Sequence, residues 1–148
     1  MQSTSEFMVT TPSPPRSSCP INFGLEIFGD QWTLLILRDL LIQQKRTFRE
    51  FLSSDEGIAS NILADRLKRL EACGLITRIA SEVDRRMMLY SPTSAGSALI
   101  PLLVEMSYWG ATHDAATGAP KSFKAAYRAD RGGLIAQIRS GADPSKAR

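Results

Sequence analysis

Apolar residues recur at helical spacing in several separate segments of the chain, and each segment is bounded by turn or capping residues. The first such region predicts two helices, one that starts at Pro20 and a second over roughly residues 31–42, with a break at Gly29 and Asp30 as the N-cap of the second. The second helix is apolar nearly all round. It is therefore predicted to be buried on more than one side, either as the core helix or partly as a subunit contact.

Two further helices are predicted between residues 47 and 74. Thr47 and Glu50 have the S/T-x-x-E spacing of a capping box, which predicts a short third helix. Ser60 is the candidate N-cap of a fourth helix, and Gly74 suits the left-handed position that closes it. The fourth helix has one narrow apolar stripe, formed by Leu63, Leu67 and Leu70.

Two short strand-like runs, "LITRIA" (75–80) and "MMLYS" (87–91), flank the polar connection "SEVDRR" (81–86) and predict a β-hairpin. A two-stranded sheet is marginal on its own, so the hairpin must pack against the helices. A long helical segment follows, capped at Thr93 and kinked or irregular at Pro101. This order of elements predicts an α+β, mostly helical fold.

The ends of the chain differ in composition from its central part. The chain has 148 residues, 43% of them hydrophobic, and a formal net charge of +3, which suits one globular domain. Residues 1–18 are rich in Ser, Thr and Pro and are predicted to form a disordered arm. Residues 118–148 form a basic extension, weakly helical and divided at Gly132-Gly133, which could either supplement nucleic-acid binding or simply be solvated. The domain itself is expected over residues 19–117.

Several classes of protein find no support in the sequence. It has no apolar stretch of membrane-spanning length and no secretory signal pattern, so we expect a cytoplasmic protein without a membrane partner. Two cysteines and one histidine offer no metal site, and no cofactor is expected. We find no nucleophile–base set, no paired carboxylates at a diagnostic spacing and no glycine-rich phosphate loop, so we do not expect an enzyme.

The fourth predicted helix carries polar and charged residues opposite its leucine stripe. Such a face is either merely solvated or free to enter a DNA major groove, where Asn and Arg can bind adenine and guanine edges. A carboxylate there could accept from cytosine N4 or hold a neighbouring Arg. The candidates to contact DNA from this helix are Ser60, Asn61, Asp65, Lys68 and Arg69.

The hairpin connection adds two cations, Arg85 and Arg86, which could reach a minor groove or the flanking phosphates. Asp84 could tether one of them by an ion pair. Arg46 and Arg49 are candidates for additional phosphate contacts. A basic hairpin that follows a helix-turn-helix is typical of the wing of a winged-helix domain.

Five motifs occur in order over about residues 19–112: "CPINFGLEIFGDQWTLLILRDLL", "RTFREF", "GIASNILADRLKRLEACGLITR", "YSPTSAG" and "LLVEMSYWG". Together they resemble the HxlR-type regulators, a branch of the MarR-like winged helix-turn-helix transcription factors. The sequence departs from that pattern at Asp30-Gln31, where a more basic pair is usual, and at Pro92, where a leucine is usual. The resemblance does not cover the tail after about residue 117.

The resemblance implies a homodimer that binds a pseudo-palindromic operator in double-stranded DNA and represses or activates nearby genes. In this family the N-terminal helix and the long helix after the wing form the dimer, although the same positions could equally be core. The corresponding residues here are Phe23, Ile27, Leu102, Leu103, Met106 and Trp109.

Control by a ligand or an oxidant is a further possibility that the resemblance raises. It makes Cys19 a candidate redox-sensing thiol, and a small effector could bind under the dimer helices. The alternative to DNA binding is a winged-helix protein–protein adaptor, because a fold does not fix a function.

Overall fold

The computed structural model describes residues 8–141, which form seven helices and one two-stranded antiparallel sheet. The predicted α+β, mostly helical class is confirmed. Within this described part, no helix combines the length and apolar composition needed to cross a membrane. The elements in chain order are α1 (Pro20–Phe28), α2 (Thr33–Leu41), α3 (Phe48–Leu52), α4 (Ser60–Cys73), β1 (Ile76–Ala80), β2 (Met88–Pro92), α5 (Ser94–Ser97), α6 (Ile100–His113) and α7 (Lys121–Arg139).

Local capping explains where several of these helices begin. Pro20 lies in the first turn of α1, and the Thr47 and Glu50 side chains form both halves of a capping box on α3. Thr93 Oγ1 accepts from the Gly96 N–H at 3.1 Å at the start of α5. The predicted N-cap of α2 is displaced, because Trp32 and not Asp30 is its N-cap. Asp30 nevertheless holds the start of α2, since its Oδ2 accepts from the backbone N–H groups of Trp32 and Thr33 at 3.0 and 3.1 Å.

The capping prediction for α4 is wrong. Ser60 is the first helical residue and Ala59 is the N-cap, with no hydrogen bond from a side chain to the first turn. At the other end the prediction is confirmed: Gly74 adopts φ = 88°, a left-handed conformation that suits glycine because it has no Cβ.

The core lies around α2, as its apolar composition predicts. Leu37 is fully buried. Asp39, at 2% exposure, is the one buried charged residue in the described part of the chain. The predicted leucine stripe of α4 is confirmed, because Leu63, Leu67 and Leu70 all lie in this core. The other large side chains with under 2% exposure include Phe51, Ile100 and Val104.

The hairpin is attached to the helical core through both strands. In the antiparallel register Ile76 pairs with Pro92 and Ala80 with Met88, so Pro92 closes the ladder at its inner end. The Tyr90 N–H donates to the Arg46 carbonyl at 2.8 Å, which joins the loop before α3 to β2. At the base of the hairpin a Cβ on Gly96 would lie 2.1 Å from the Leu75 carbonyl oxygen, so this close approach requires glycine.

The C-terminal segment is part of the core, which corrects the prediction of a weakly helical extension. Helix α7 changes direction at Asp130, whose carboxylate accepts from the Gly133 N–H at 2.9 Å; the expected division at Gly132-Gly133 is therefore displaced. Beyond this point Leu134, Ile135 and Ile138 are buried against the other helices. Basic residues surround this short apolar set in the sequence, and sequence reasoning therefore missed it. Residues 142–148 lie outside the described part.

The N-terminal segment is also attached to the domain. Residues 8–18 have no regular secondary structure, but the Thr10 N–H donates to the Cys73 carbonyl at 3.2 Å and Val9 packs against the core. Arg16 Nε lies 2.8 Å from Glu26 Oε1 on α1. The last carbonyls of a helix need donors, and Thr10 supplies one at the end of α4. Residues 8–18, predicted as part of a disordered arm, thus contact the domain at these points, and residues 1–7 lie outside the described part.

Candidate nucleic-acid interface

The outer side of α4 is open to solvent. Ser60, Asn61, Asp65 and Lys68 are exposed, and Arg69 is half-buried. These side chains lie opposite the buried leucine stripe, so α4 buries one side and presents the other. The arrangement leaves the predicted reading residues accessible to a partner.

The turn between α3 and α4 sets the position of α4. Gly57 adopts φ = 71° in this turn, and its N–H donates to the Ser54 carbonyl at 3.0 Å. Ile58 follows it and is buried, at 7% exposure. Two helices joined by a short glycine-containing turn form a helix-turn-helix, in which the second helix is the one that reads DNA.

A polar network centred on the buried Asp39, which sequence reasoning missed, anchors this turn to α2. The carboxylate of Asp39 contacts the side chains of Arg38 (2.8 Å), Lys45 (3.3 Å) and Ser54. Arg38 also binds both carboxylate oxygens of Glu56, at 2.7 and 2.8 Å, and this hydrogen bonding lowers the pKa of Glu56 to about 2. The signal in the sequence is the Arg38-Asp39 pair inside an otherwise apolar run.

A second polar chain reaches the outer side of α4. Arg66 Nε donates to Asp30 Oδ2 at 2.9 Å, and Arg66 Nη1 donates to Asp65 Oδ2 at 2.5 Å. Burial acts to raise the pKa of Asp30, but hydrogen bonds from Thr33 and Arg66 outweigh it and lower that pKa to about 2. Asp65 thus holds a neighbouring arginine, one of the two roles that the sequence allowed for it.

The hairpin places two cations at its outer end. Arg86 is almost fully exposed, and its Nε lies 4.0 Å from Asp84 Oδ1, so the predicted tether is present as a long surface pair. Arg85 is exposed and forms no ion pair with any residue in the range 8–141. The loop itself is fixed by Ser81, whose Oγ accepts from the N–H groups of Val83 and Asp84.

The two remaining predicted cations behave differently. The Arg46 guanidinium donates to the carbonyls of Leu40 (2.9 Å) and Lys45 (3.1 Å) and to Gln44 Oε1 (2.9 Å), so it holds the loop before α3. Its predicted contact with a phosphate would have to use the remaining guanidinium donors and stays a prediction. Arg49 is exposed and shares with the hairpin a groove of about 440 Å³, whose lining residues are Thr47, Phe48, Arg49, Arg86, Met87, Met88 and Tyr90.

The residues predicted for the dimer surface divide into two groups. Trp109, Met106 and Phe23 are exposed by 66%, 51% and 39%, as a surface for another subunit requires. Ile27 and Leu103 are buried in the core of their own chain, which corrects their assignment, and Leu102 is half-buried. Sequence reasoning missed two further exposed apolar side chains of α1, those of Ile21 and Leu25.

The two cysteines lie in different environments. Cys19 is exposed just before α1, whereas Cys73 is buried at the end of α4. Burial raises the pKa of the Cys73 thiol, although the nearby Arg69 acts in the opposite direction. The two cysteines are therefore not equivalent toward an oxidant in solution. No group of three or more His, Cys, Asp or Glu side chains in the described residues is arranged to hold a metal ion.

A helix-turn-helix followed by a hairpin with a cationic outer end defines the class of winged helix-turn-helix DNA-binding proteins. The family model for the HxlR-like helix-turn-helix matches residues 27–117. The chain belongs to this family, as the resemblance of its motifs indicated. It is a DNA-binding transcriptional regulator.

Individual relatives agree with this placement. The chain is 30% identical over 97 residues to YybR of Bacillus subtilis (strain 168), an uncharacterised HTH-type transcriptional regulator, with 66% of this chain and 77% of YybR covered. The crystal structure of PA1607, a proposed transcription factor, is similar with a TM-score of 0.61 and 37% identity over 72% of this chain and 70% of that one. The oxidised form of the redox regulator HypR gives a TM-score of 0.55 and 30% identity, covering 64% and 96% of the two chains.

Proposed function

We propose that the protein acts as a homodimer that binds a pseudo-palindromic operator. Helix α4 of each subunit enters a major groove, and Arg85 and Arg86 contact the flanking phosphates or minor groove. The observation that carries this proposal is the accessible outer side of α4, where Asn61 and Lys68 are exposed opposite a fully buried stripe. The adaptor alternative is not favoured, because the relatives are HTH-type transcriptional regulators.

Two observations support the proposed dimer: the small DNA-contacting surface of one winged-helix subunit and its exposed apolar side chains. One small winged helix makes few base contacts, whereas two copies on a two-fold axis would place their α4 helices about 34 Å apart, one turn of DNA. Trp109 and Met106 on α6, with Ile21 and Leu25 on α1, leave apolar area exposed on the subunit that a second copy would cover.

We predict different losses for the two sets of DNA contacts. Replacing Asn61 and Arg69 together with alanine should change the preferred sequence, at a cost of about 1–3 kcal/mol for each lost base contact. Replacing Arg85 and Arg86 should weaken binding to all sequences and reduce the dependence of affinity on salt by about one unit of slope per lost phosphate contact. Gel-shift titrations at several salt concentrations, on sequences selected from a random library, measure both effects.

The matched control removes two positive charges from another exposed surface. Lys121 and Arg139 lie on the outer side of α7, and replacing both with alanine changes the net charge as much as replacing Arg85 and Arg86 does. This control should leave sequence preference unchanged and reduce affinity much less. Unchanged binding by both the α4 pair and the hairpin pair would contradict the proposal.

Cys19 is the thiol through which we propose that an oxidant controls operator binding. Its exposure supports this role, as does the similarity to HypR, a redox regulator. Diamide, which oxidises thiols to disulfides, should change the operator affinity of the wild type and of Cys73→Ser, but not that of Cys19→Ser. An equal response of all three proteins, or no response of the wild type, would be inconsistent with this role.

A further inference from the structure

Asp65 is the anionic residue on the otherwise neutral or cationic outer side of α4. It lies one helical turn after Asn61 and three residues before Lys68, and its side chain is 58% exposed. A carboxylate at this place would be repelled by DNA phosphates, so it does not serve general affinity. Its presence in the proposed reading surface therefore requires a different physical reason.

The side chain of Asp65 is held in one orientation by a chain of contacts. Asp30 is fixed at the start of α2 by hydrogen bonds from two backbone N–H groups, and it binds Arg66 Nε at 2.9 Å. Arg66 then donates through Nη1 to Asp65 Oδ2 at 2.5 Å. Because Arg66 uses Oδ2, the second oxygen, Oδ1, is available as an acceptor; it has no hydrogen-bond partner among residues 8–141.

An ionised carboxylate accepts hydrogen bonds and donates none. In the major groove guanine and thymine present acceptors, which a carboxylate disfavours. Adenine presents a donor beside its own N7 acceptor, whereas the edge of cytosine itself presents the N4 amino donor and no acceptor, the nearest acceptor being O6 of the paired guanine. Cytosine is therefore the base whose edge suits a fixed Asp65 best.

We infer that Asp65 is a specificity-determining residue, which selects a cytosine by accepting from its N4 amino group, and that Arg66 and Asp30 position it. The inference rests on the proposed function and adds the base class that this surface reads. Two carboxylates sharing one guanidinium leave a net negative charge, so this trio lowers affinity for DNA in general. The same trio increases the discrimination between cytosine and the other bases, because the Asp65 carboxylate disfavours bases that present acceptors.

The first test compares the sequences selected from a randomised duplex library by the wild type and by Asp65→Asn. The wild type should enrich cytosine at one symmetry-related pair of positions, and Asp65→Asn should lose that preference by about tenfold or more. Binding of Asp65→Asn to non-specific DNA should be unchanged or tighter. Glu71→Gln is the matched control. It also removes a negative charge from α4, but Glu71 pairs with Arg78 and not with Arg66, so this variant should keep the cytosine preference.

The second test examines the positioning role of Arg66. Arg66→Met should lose the cytosine preference at the same positions, Arg66→Lys should restore part of it, and Asp65→Asn should cause no further loss in the Arg66→Met background. Thermal unfolding of each variant shows whether it is folded, so that a loss of preference is not mistaken for misfolding. A folded Arg66→Met protein with unchanged cytosine preference would contradict the positioning role.

The outcomes distinguish failure of the cytosine assignment from failure of the proposed function. A wild type that selects a defined sequence, together with an Asp65→Asn variant that selects the same sequence with equal strength at every position, would overturn the inference and leave the proposed function intact. A wild type that selects no sequence would overturn both.

Discussion

Replacing Leu134 with alanine is expected to lower the free energy of unfolding by about 2–5 kcal/mol, the usual cost of removing a buried leucine side chain. Leu134 is 3% exposed and packs in one cluster with residues of α2, α4 and α6. The substitution therefore leaves a cavity in the shared core and not in a separate tail. Urea unfolding followed by tryptophan fluorescence or circular dichroism gives the change in free energy.

A substitution on the outer side of the same helix provides the control. Arg139 is exposed, and Arg139→Ala should change the free energy of unfolding by no more than about 0.5 kcal/mol. If Leu134→Ala is as mild as Arg139→Ala, α7 does not belong to the cooperative folding unit. A single transition with a lower midpoint and an unchanged slope would show that it does.

Most elements of the fold could be predicted because their signals are local. The capping box at Thr47 and Glu50, the left-handed Gly74 and the apolar stripe of α4 each follow from residues that are close in sequence. The buried half of α7 could not be predicted in the same way. Leu134, Ile135 and Ile138 are too few to stand out among basic neighbours, and their burial depends on the surface that distant helices provide.

The candidate site shows the same division. The exposed positions of α4 follow from helical periodicity, but the fixed state of Asp65 depends on Asp30, which is 35 residues earlier in the chain. Arg46 is a similar case, since part of its guanidinium donates to the Leu40 carbonyl and to Gln44, a residue with φ = 60°. Sequence reasoning can place a charged residue on a surface, but it does not show which charges are already engaged within the chain.

Helix α7 restricts which side of α6 is available to a second subunit. Tyr127 of α7 stacks on Tyr108, with ring centroids 3.8 Å apart, and its hydroxyl donates to Glu105 at 2.8 Å. These contacts cover one side of α6 from within the same chain. Met106 and Trp109 are the large apolar side chains that remain exposed on α6, and the proposed dimer would cover them.

Replacing Trp109 with glutamate is therefore expected to convert the proposed dimer into a monomer and to weaken operator binding by about 100- to 10,000-fold, because the second half-site no longer benefits from the first. Sedimentation equilibrium and operator titrations measure the two effects. Ile79→Glu is the matched control for the oligomeric state. Ile79 is similarly exposed, at 64%, but it lies on β1 and not on α1 or α6, the helices of the proposed dimer contact. A Trp109→Glu protein that keeps the wild-type mass would place the dimer contact elsewhere.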